Sequence, residues 1–175
     1  MESKTISIIA IVLLILFGLF IWGYSGKGST TSSAASVQGA PGATSDAKSA
    51  LAAVDVFYDF GTISMKNGDV TKDFTVTNPT GKDIFVRTVL SSCMCTSAFI
   101  VEPDGSLKGP FKMPGMGYVP PANETIKAGE SRIIRVVYNP NAHGPAGVGQ
   151  IDRFVTLMDE AGGILQLEIK ALVTP

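Results

Sequence analysis

Two cysteines separated by one residue, Cys93-Met94-Cys95, are the feature of this sequence with the clearest chemistry. In an extended strand, residues i and i+2 point to the same face, so both sulfurs would project together. Three interpretations remain open for such a pair. It could be two packed free thiols, a soft-metal site built on paired thiolates, or a redox-active dithiol.

A metal site needs more ligands, because two thiolates alone do not complete a tetrahedral zinc centre. Side chains that could supply them are His143, Met94 and an M-x-x-M pair in a Pro- and Gly-rich segment. Thiolate and thioether ligands are soft, and the ion that matches them is Cu(I). Cu(I) is therefore the one cofactor that the sequence indicates. The predicted metal ligands are Cys93, Cys95, Met113, Met116 and His143.

The redox interpretation depends on whether the two sulfurs can bond. Extended Cα atoms at i and i+2 lie near the upper limit for a disulfide, so a Cys93–Cys95 bond in a strand would be strained and reducible. A redox enzyme usually lowers a cysteine pKa with a neighbouring cation or a helix N-terminus. Along the chain the nearby cation is Arg87, and no helix is predicted to follow. This interpretation therefore ranks below the metal site, and no residue is predicted to be catalytic.

The residues that must position this motif are predicted to be strands. From Val54 onward, apolar and polar residues alternate over segments such as 70–77 and 131–138, with the period of a half-buried strand. The segment 160–163 is typical of a hairpin turn. Seven to eight strands without a convincing helix predict an antiparallel β-sandwich over residues 54–175. Residues 103–123, rich in proline and glycine, are predicted to form a long loop outside it.

The N-terminus is predicted to be a transmembrane anchor. Residues 6–22 contain no charge, and the run extended to Tyr24 approaches the ~30 Å thickness of the hydrocarbon core. A cleaved signal peptide is the alternative, although its apolar region would normally be shorter. The anchor is assigned to residues 1–24. Lys4 before the run favours a cytoplasmic N-terminus, which places the C-terminal domain on the periplasmic or extracellular side of the cell membrane.

Residues 25–53 are rich in glycine, serine, threonine and alanine. Such a segment cannot bury enough apolar surface to offset the entropy of ordering it, so it is predicted to be a flexible linker. As a random coil it would reach about 30 Å, which lets the domain stand clear of the membrane.

Composition excludes several classes of protein. Apolar residues make up 45% and charged residues 17% of the 175, which is unlike a disordered chain. The net charge is -1 and no basic run occurs, so no nucleic-acid partner is predicted. Two cysteines do not make a disulfide-rich scaffold, and a single histidine excludes a multi-histidine metal site within one chain.

Several ordered motifs resemble a bacterial family, domain-of-unknown-function family 1573. The matching segments are Asp59–Ile63, Phe74–Asn78, Ser92–Thr96, Ala128–Ser131 and Ile134–Tyr138. Met94 stands where the family usually has glycine, and the segment 103–123 is longer than its typical counterpart. The resemblance implies an immunoglobulin-like fold, related to the ASPM/SPD-2/Hydin and major sperm protein domains, that is exported or membrane-anchored. It implies little about activity.

Three functions therefore compete. The first is a membrane-anchored, non-catalytic immunoglobulin-like module that binds or scaffolds other proteins of the cell envelope. The second is a copper-binding or copper-delivery protein that uses the Cys-Met-Cys motif. The third is a thiol–disulfide redox protein.

Overall fold

The first strand of the domain begins earlier in the chain than the sequence predicts. The computed structural model describes residues 47–175, which form ten strands and two short 3₁₀ turns at 65–67 and 144–147. The strands are β1 (Ala52–Ala53), β2 (Phe57–Ser64), β3 (Val70–Thr77), β4 (Ile84–Ser91), β5 (Thr96–Val101), β6 (Leu107–Phe111), β7 (Glu124–Ile126), β8 (Ser131–Tyr138), β9 (Gly149–Asp159) and β10 (Ile164–Thr174).

The strands divide into two five-stranded sheets. Sheet I has the order β1-β3-β8-β5-β6, and sheet II has the order β2-β10-β9-β4-β7. The predicted all-β sandwich is confirmed, although it has ten strands and not the predicted seven to eight, and β3 and β8 have the predicted bounds. The connections β4–β5 and β8–β9 both cross from one sheet to the other, which is what brings distant residues to the cysteine motif.

Alternate side chains of both sheets face each other and form the core. In β3, Phe74 and Val76 are buried while their neighbours are not, and β8 contributes Ile134, Val136 and Tyr138 with the same period of two. Burial of one face of each sheet fixes the register of its strands, because a slip by one residue would turn every apolar side chain outward.

The hairpin at 160–163 is confirmed: β9 and β10 pair antiparallel on either side of it. Gly162 adopts a φ of 84°, in the left-handed region that favours glycine. The following glycine is required for space, because a Cβ at Gly163 would lie 2.7 Å from the Cα of Ser49.

Two other features of the sandwich also differ from the sequence prediction. Strand β2 pairs parallel with β10, so sheet II is mixed rather than purely antiparallel. An alternating pattern specifies which face is buried but not the direction of the neighbouring strand. In addition, the predicted loop 103–123 contains β6, which pairs with β5 at the edge of sheet I. Pro110 lies within this strand, and an edge strand tolerates the missing N–H of a proline.

The predicted linker also ends earlier than expected. Leu51 is only 3% exposed and belongs to the core, and Ala52–Ala53 form β1 against β3. Its last seven residues, 47–53, are therefore part of the domain, docked by the buried side chain of Leu51 and by backbone hydrogen bonds such as that from Ser49 N–H to the carbonyl of Ile164. Residues 1–24, the predicted anchor, and the rest of the predicted linker lie outside the described residues. Within residues 47–175, no helix has the length and hydropathy of a membrane span.

A buried carboxylate joins the two sheets at one edge. Glu124 of β7, whose side chain is 7% exposed, accepts hydrogen bonds from Arg132 Nε at 2.8 Å and from Lys108 Nζ at 3.0 Å. Burial alone would raise the pKa of Glu124, but these two cationic donors outweigh it and hold the pKa below its ordinary value. Because Arg132 and Lys108 belong to sheet I and Glu124 to sheet II, the three side chains clamp the sandwich.

We expect Glu124→Ala to lower the free energy of unfolding by about 2 kcal/mol, since it removes the buried carboxylate that two part-buried cations share and leaves them their outer partners, Glu130 and Glu102. Because the folded-state pKa of Glu124 is lowered, its contribution is present above the ordinary carboxyl pKa and is lost as the pH falls through the folded value. Urea unfolding at neutral and at acidic pH measures both effects. Equal losses for Glu124→Ala at both pH values would contradict this account.

Candidate functional site

The cysteine motif lies in a turn, not in the extended strand that the sequence indicates. Strand β4 ends at Ser91, and Thr96 N–H donates to the carbonyl of Cys93 at 3.1 Å, which closes a tight turn before β5. The turn brings the Cα atoms of Cys93 and Cys95 to 5.2 Å, and the two residues form a disulfide. This distance lies within the usual range for disulfides, so the expectation of an extended, stretched geometry is wrong.

Backbone contacts fix the turn from both sides. Ser92 N–H donates to the carbonyl of Phe154 at 2.9 Å, and Phe154 N–H donates back to Ser92 Oγ at the same distance. On the other side, Asn139 N–H donates to the carbonyl of Cys95 at 2.8 Å. The two hydrogen bonds with Phe154 attach the turn to β9, and the hydrogen bond from Asn139 attaches it to the segment after β8. The cysteines are therefore held by the two elements that carry the other site residues.

His143 is the predicted ligand that the structure brings to the cysteines. It lies in the β8–β9 connection, fifty residues further along the chain, and its Nε2 is 3.2 Å from Cys93 Sγ. Asn141 positions this connection: its N–H donates to Asn139 Oδ1, and its Nδ2 donates to the carbonyl of Met65 at 2.6 Å. One ligand atom from each of Cys93, Cys95 and His143 lies within 4.8 Å of the others.

Arg153 is the site residue that sequence reasoning missed. Its Nε–H donates to Cys95 Sγ at 3.3 Å, and its Nη1 donates to the carbonyl of Asp152. Arg87, the cation expected beside the motif, lies exposed on β4. Since Arg153 is fifty-eight residues from Cys95, no local spacing could reveal it. The pairing of β9 with β4 beside the turn places it there.

The three methionines differ in position. Met94, between the cysteines, is 45% exposed, and Met116 is 52% exposed in the connection between β6 and β7. Met113 is half-buried near the start of that connection. The preceding carbonyl, that of Lys112, accepts a hydrogen bond from Ser91 N–H at 3.4 Å. This connection thus begins two residues from the cysteine turn.

The sulfurs are buried but unequally so. The exposed fraction is 8% for Cys93 and 2% for Cys95, whereas His143 is exposed and covers the Cys93 side. The disulfide spans a sequence separation of two, so it restricts the unfolded chain only locally. A cross-link of this kind contributes little to folding stability, which favours a chemical role over a structural one.

Comparison with known proteins identifies the fold and leaves the family open. No family model and no curated protein matches the chain. A solved protein of unknown function from Porphyromonas gingivalis W83 is 12% identical and has a TM-score of 0.51; the match covers 70% of this chain and 46% of that one. At this identity it shows a shared fold alone, and the chain spans about half of that protein.

Two further solved structures match the chain with TM-scores below 0.5. The seventh PapD-like domain of human CEP192 is 9% identical with a TM-score of 0.45, and the match covers 84% of this chain and 98% of that one. The CupB2 chaperone of Pseudomonas aeruginosa is 13% identical with a TM-score of 0.36, and the match covers 70% and 55% of the two chains. The resemblance to family 1573 stays a prediction.

Proposed function

We propose that this domain is a non-catalytic binding module whose ligand is a soft metal ion, Cu(I), held by Cys93, Cys95 and His143. The observation that carries the proposal is the 3.2 Å approach of His143 Nε2 to Cys93 Sγ. A histidine from a separate connection meets a cysteine pair that the sequence already marks as soft ligands. Three ligand atoms within 4.8 Å of one another are close enough to bind one ion.

The donor set favours Cu(I) over zinc. A structural zinc ion takes four protein ligands, and the cluster within residues 47–175 supplies three of the nitrogen and sulfur type. Cu(I) accepts soft sulfur donors, including thioethers. Met113 and Met116 are proposed as further ligands, because their connection begins beside the turn at the hydrogen bond between Ser91 and Lys112.

The disulfide makes binding depend on the redox state. Metal ligation requires thiolates, and sulfurs bonded to each other are not available as such. The proposed metal-binding form is therefore the reduced one, in which Cys93 and Cys95 are free to ligate. The oxidised form in this structure is the form that does not bind.

The cellular setting is proposed from the sequence. Residues 1–24 would anchor the protein in the cell membrane, and the linker would let the domain stand clear on the extracytoplasmic side. A cysteine disulfide is typical of that compartment, which supports the assignment. The partners would be other proteins of the cell envelope that deliver or receive the ion, and the immunoglobulin-like fold offers loops and sheet edges for such contacts.

The test is a Cu(I) titration of the full chain in detergent, without oxygen, against a chromogenic Cu(I) chelator. We expect one equivalent to bind to the chain reduced by a phosphine, and none to the chain with its disulfide intact. Equal binding by the two forms would show that the cysteines are not the ligands. The proposal would be refuted if the reduced form bound no Cu(I) even at chelator concentrations low enough to leave the ion available to a weak site.

The methionines are tested in the same titration. Met113→Leu and Met116→Leu preserve side-chain size but remove the thioether. If either methionine is a ligand, its replacement weakens Cu(I) binding while the fold is unchanged. The control is Leu107→Met on β6, because Leu107 is 49% exposed and Met116 is 52% exposed. This variant adds a thioether away from the proposed ligands, and we expect the affinity for Cu(I) to stay unaltered.

A further inference from the structure

We infer that the Cys93–Cys95 disulfide also exchanges with external thiols, and that the flanking side chains give this exchange a direction. Cys93 is the sulfur that is attacked, and Cys95 is the sulfur that leaves as a thiolate beside Arg153. The inference rests on the disulfide and on its two different neighbours, and it requires no metal. It supplies the reducing step that opens the site proposed for Cu(I).

The leaving sulfur is identified by its hydrogen-bond donor. Arg153 Nε–H points at Cys95 Sγ from 3.3 Å, and a guanidinium stays charged at every pH at which a protein is folded. Negative charge that develops on Cys95 Sγ therefore gains a charge-assisted hydrogen bond. Cys93 Sγ has the Cys95 backbone N–H at 3.3 Å and the imidazole of His143 instead. A stabilised thiolate leaves faster, so bond cleavage is favoured toward Cys95.

Access gives the same direction. An attacking thiolate must reach the sulfur from the side opposite to the leaving group. Cys93 is the more exposed cysteine of the two, and the side chain against its sulfur, His143, is an exposed surface residue. Cys95 is 2% exposed, and its sulfur faces Arg153 on β9. Attack on Cys95 would require moving an arginine that is anchored to the backbone of Asp152.

The steps balance with a thiol as the only co-reactant. A thiolate RS⁻ attacks Cys93 Sγ, the bond to Cys95 breaks, and its electron pair passes to Cys95 Sγ, leaving the mixed disulfide R–S–S–Cys93. A second RS⁻ attacks the sulfur of R, forms RSSR and releases Cys93 as a thiolate. Two thiols have lost two electrons and two protons, and the cysteine pair has gained the electrons and takes up protons from solvent. A dithiol partner protein would perform both steps with its own two sulfurs.

The first test locates the mixed disulfide. The full chain in detergent, free of copper, is mixed with 2-mercaptoethanol, quenched with an alkylating agent after partial reaction, and mapped by fragmentation mass spectrometry. We expect the mercaptoethanol adduct on Cys93 and the alkyl group on Cys95. An adduct found mainly on Cys95, or equally on both, overturns the proposed direction.

The second test measures the rate of reduction in arginine variants. We expect Arg153→Gln to slow reduction about tenfold and Arg153→Lys, which keeps a cation, to restore most of the rate. Arg135→Gln removes an arginine on β8 that pairs with Asp73 and leaves the rate unchanged. Equal rates in Arg153→Gln and the unaltered chain overturn the role of Arg153. Because these measurements contain no copper and the Cu(I) titration uses chain reduced by a phosphine, either proposal can fail without the other.

Discussion

Replacing Cys93 and Cys95 together by serine abolishes tight Cu(I) binding by the reduced chain. A serine hydroxyl is a hard, protonated oxygen that does not replace a soft thiolate, so the ion loses both thiolates and keeps the imidazole and the proposed thioether ligands alone. His143→Ala retains both thiolates, and we expect it to weaken binding by at least about 100-fold. Loss of a group that merely orients a ligand already costs 10–100-fold. Competition with the chromogenic chelator measures both variants.

The serine variant is informative only if it folds. The disulfide closes a ring of three residues, and its removal is expected to change the free energy of unfolding by less than about 1 kcal/mol. Circular dichroism and urea unfolding of the double variant check this. If the folded double-serine variant binds Cu(I) as tightly as the unaltered chain, the ion is bound elsewhere and the proposed site is wrong.

A second large effect is expected at the buried carboxylate of Asp159, which is 7% exposed. Its Oδ2 accepts the hydroxyl of Ser49 at 2.6 Å, and its Oδ1 accepts the N–H of Gly163 at 2.7 Å. Asp159→Ala leaves both donors buried without an acceptor and removes the side-chain contact between the N-terminal segment and the hairpin, while the backbone hydrogen bond from Ser49 N–H to the carbonyl of Ile164 stays. We expect it to lower the free energy of unfolding by about 3 kcal/mol, as measured by urea unfolding.

Matched variants separate this contact from a general effect of losing an acidic residue. Asp55→Ala removes a carboxylate that is 62% exposed and 3.9 Å from Lys72, and we expect a change of no more than about 0.5 kcal/mol. Ser49→Ala removes one of the two donors, so its cost should lie between those of Asp55→Ala and Asp159→Ala. A loss below about 1 kcal/mol for Asp159→Ala would show that this carboxylate is not a main contributor to the docking of the N-terminal segment.

Alternation of apolar residues predicts the sheets well because burial is decided by the side chains of each strand alone. Strands β3 and β8 therefore have the predicted bounds, and the hairpin at 160–163 follows from its glycines. An alternating pattern does not specify which other strand a given strand pairs with, or in which direction. The parallel pairing of β2 with β10 and the docking of residues 47–53 depend on surfaces that exist only once the sandwich has formed.

The candidate site was predictable in its chemistry and not in its geometry. Cysteine spacing and ligand softness identify Cys93, Cys95 and His143 as a group of interest, but the turn at the motif is set by Ser91 and Ser92. Ser91 Oγ donates to the carbonyl of Cys93 at 3.0 Å, and Ser92 bonds with β9. Serine side chains that compete with a strand ladder are a local signal that could have predicted the turn. Arg153 has no such signal, because sheet pairing alone brings it to Cys95.

Two of the crossings between the sheets have a consequence for motion. The cysteine turn belongs to the β4–β5 crossing and His143 to the β8–β9 crossing, so the site bridges two arches that close the same end of the sandwich. Any transient separation of the sheets at that end pulls the imidazole away from the sulfur. An ion shared between the arches opposes this separation, since a ligand that binds only the closed form lowers the population of the open one. Amide exchange in these arches therefore reports the state of a site that lies in neither sheet.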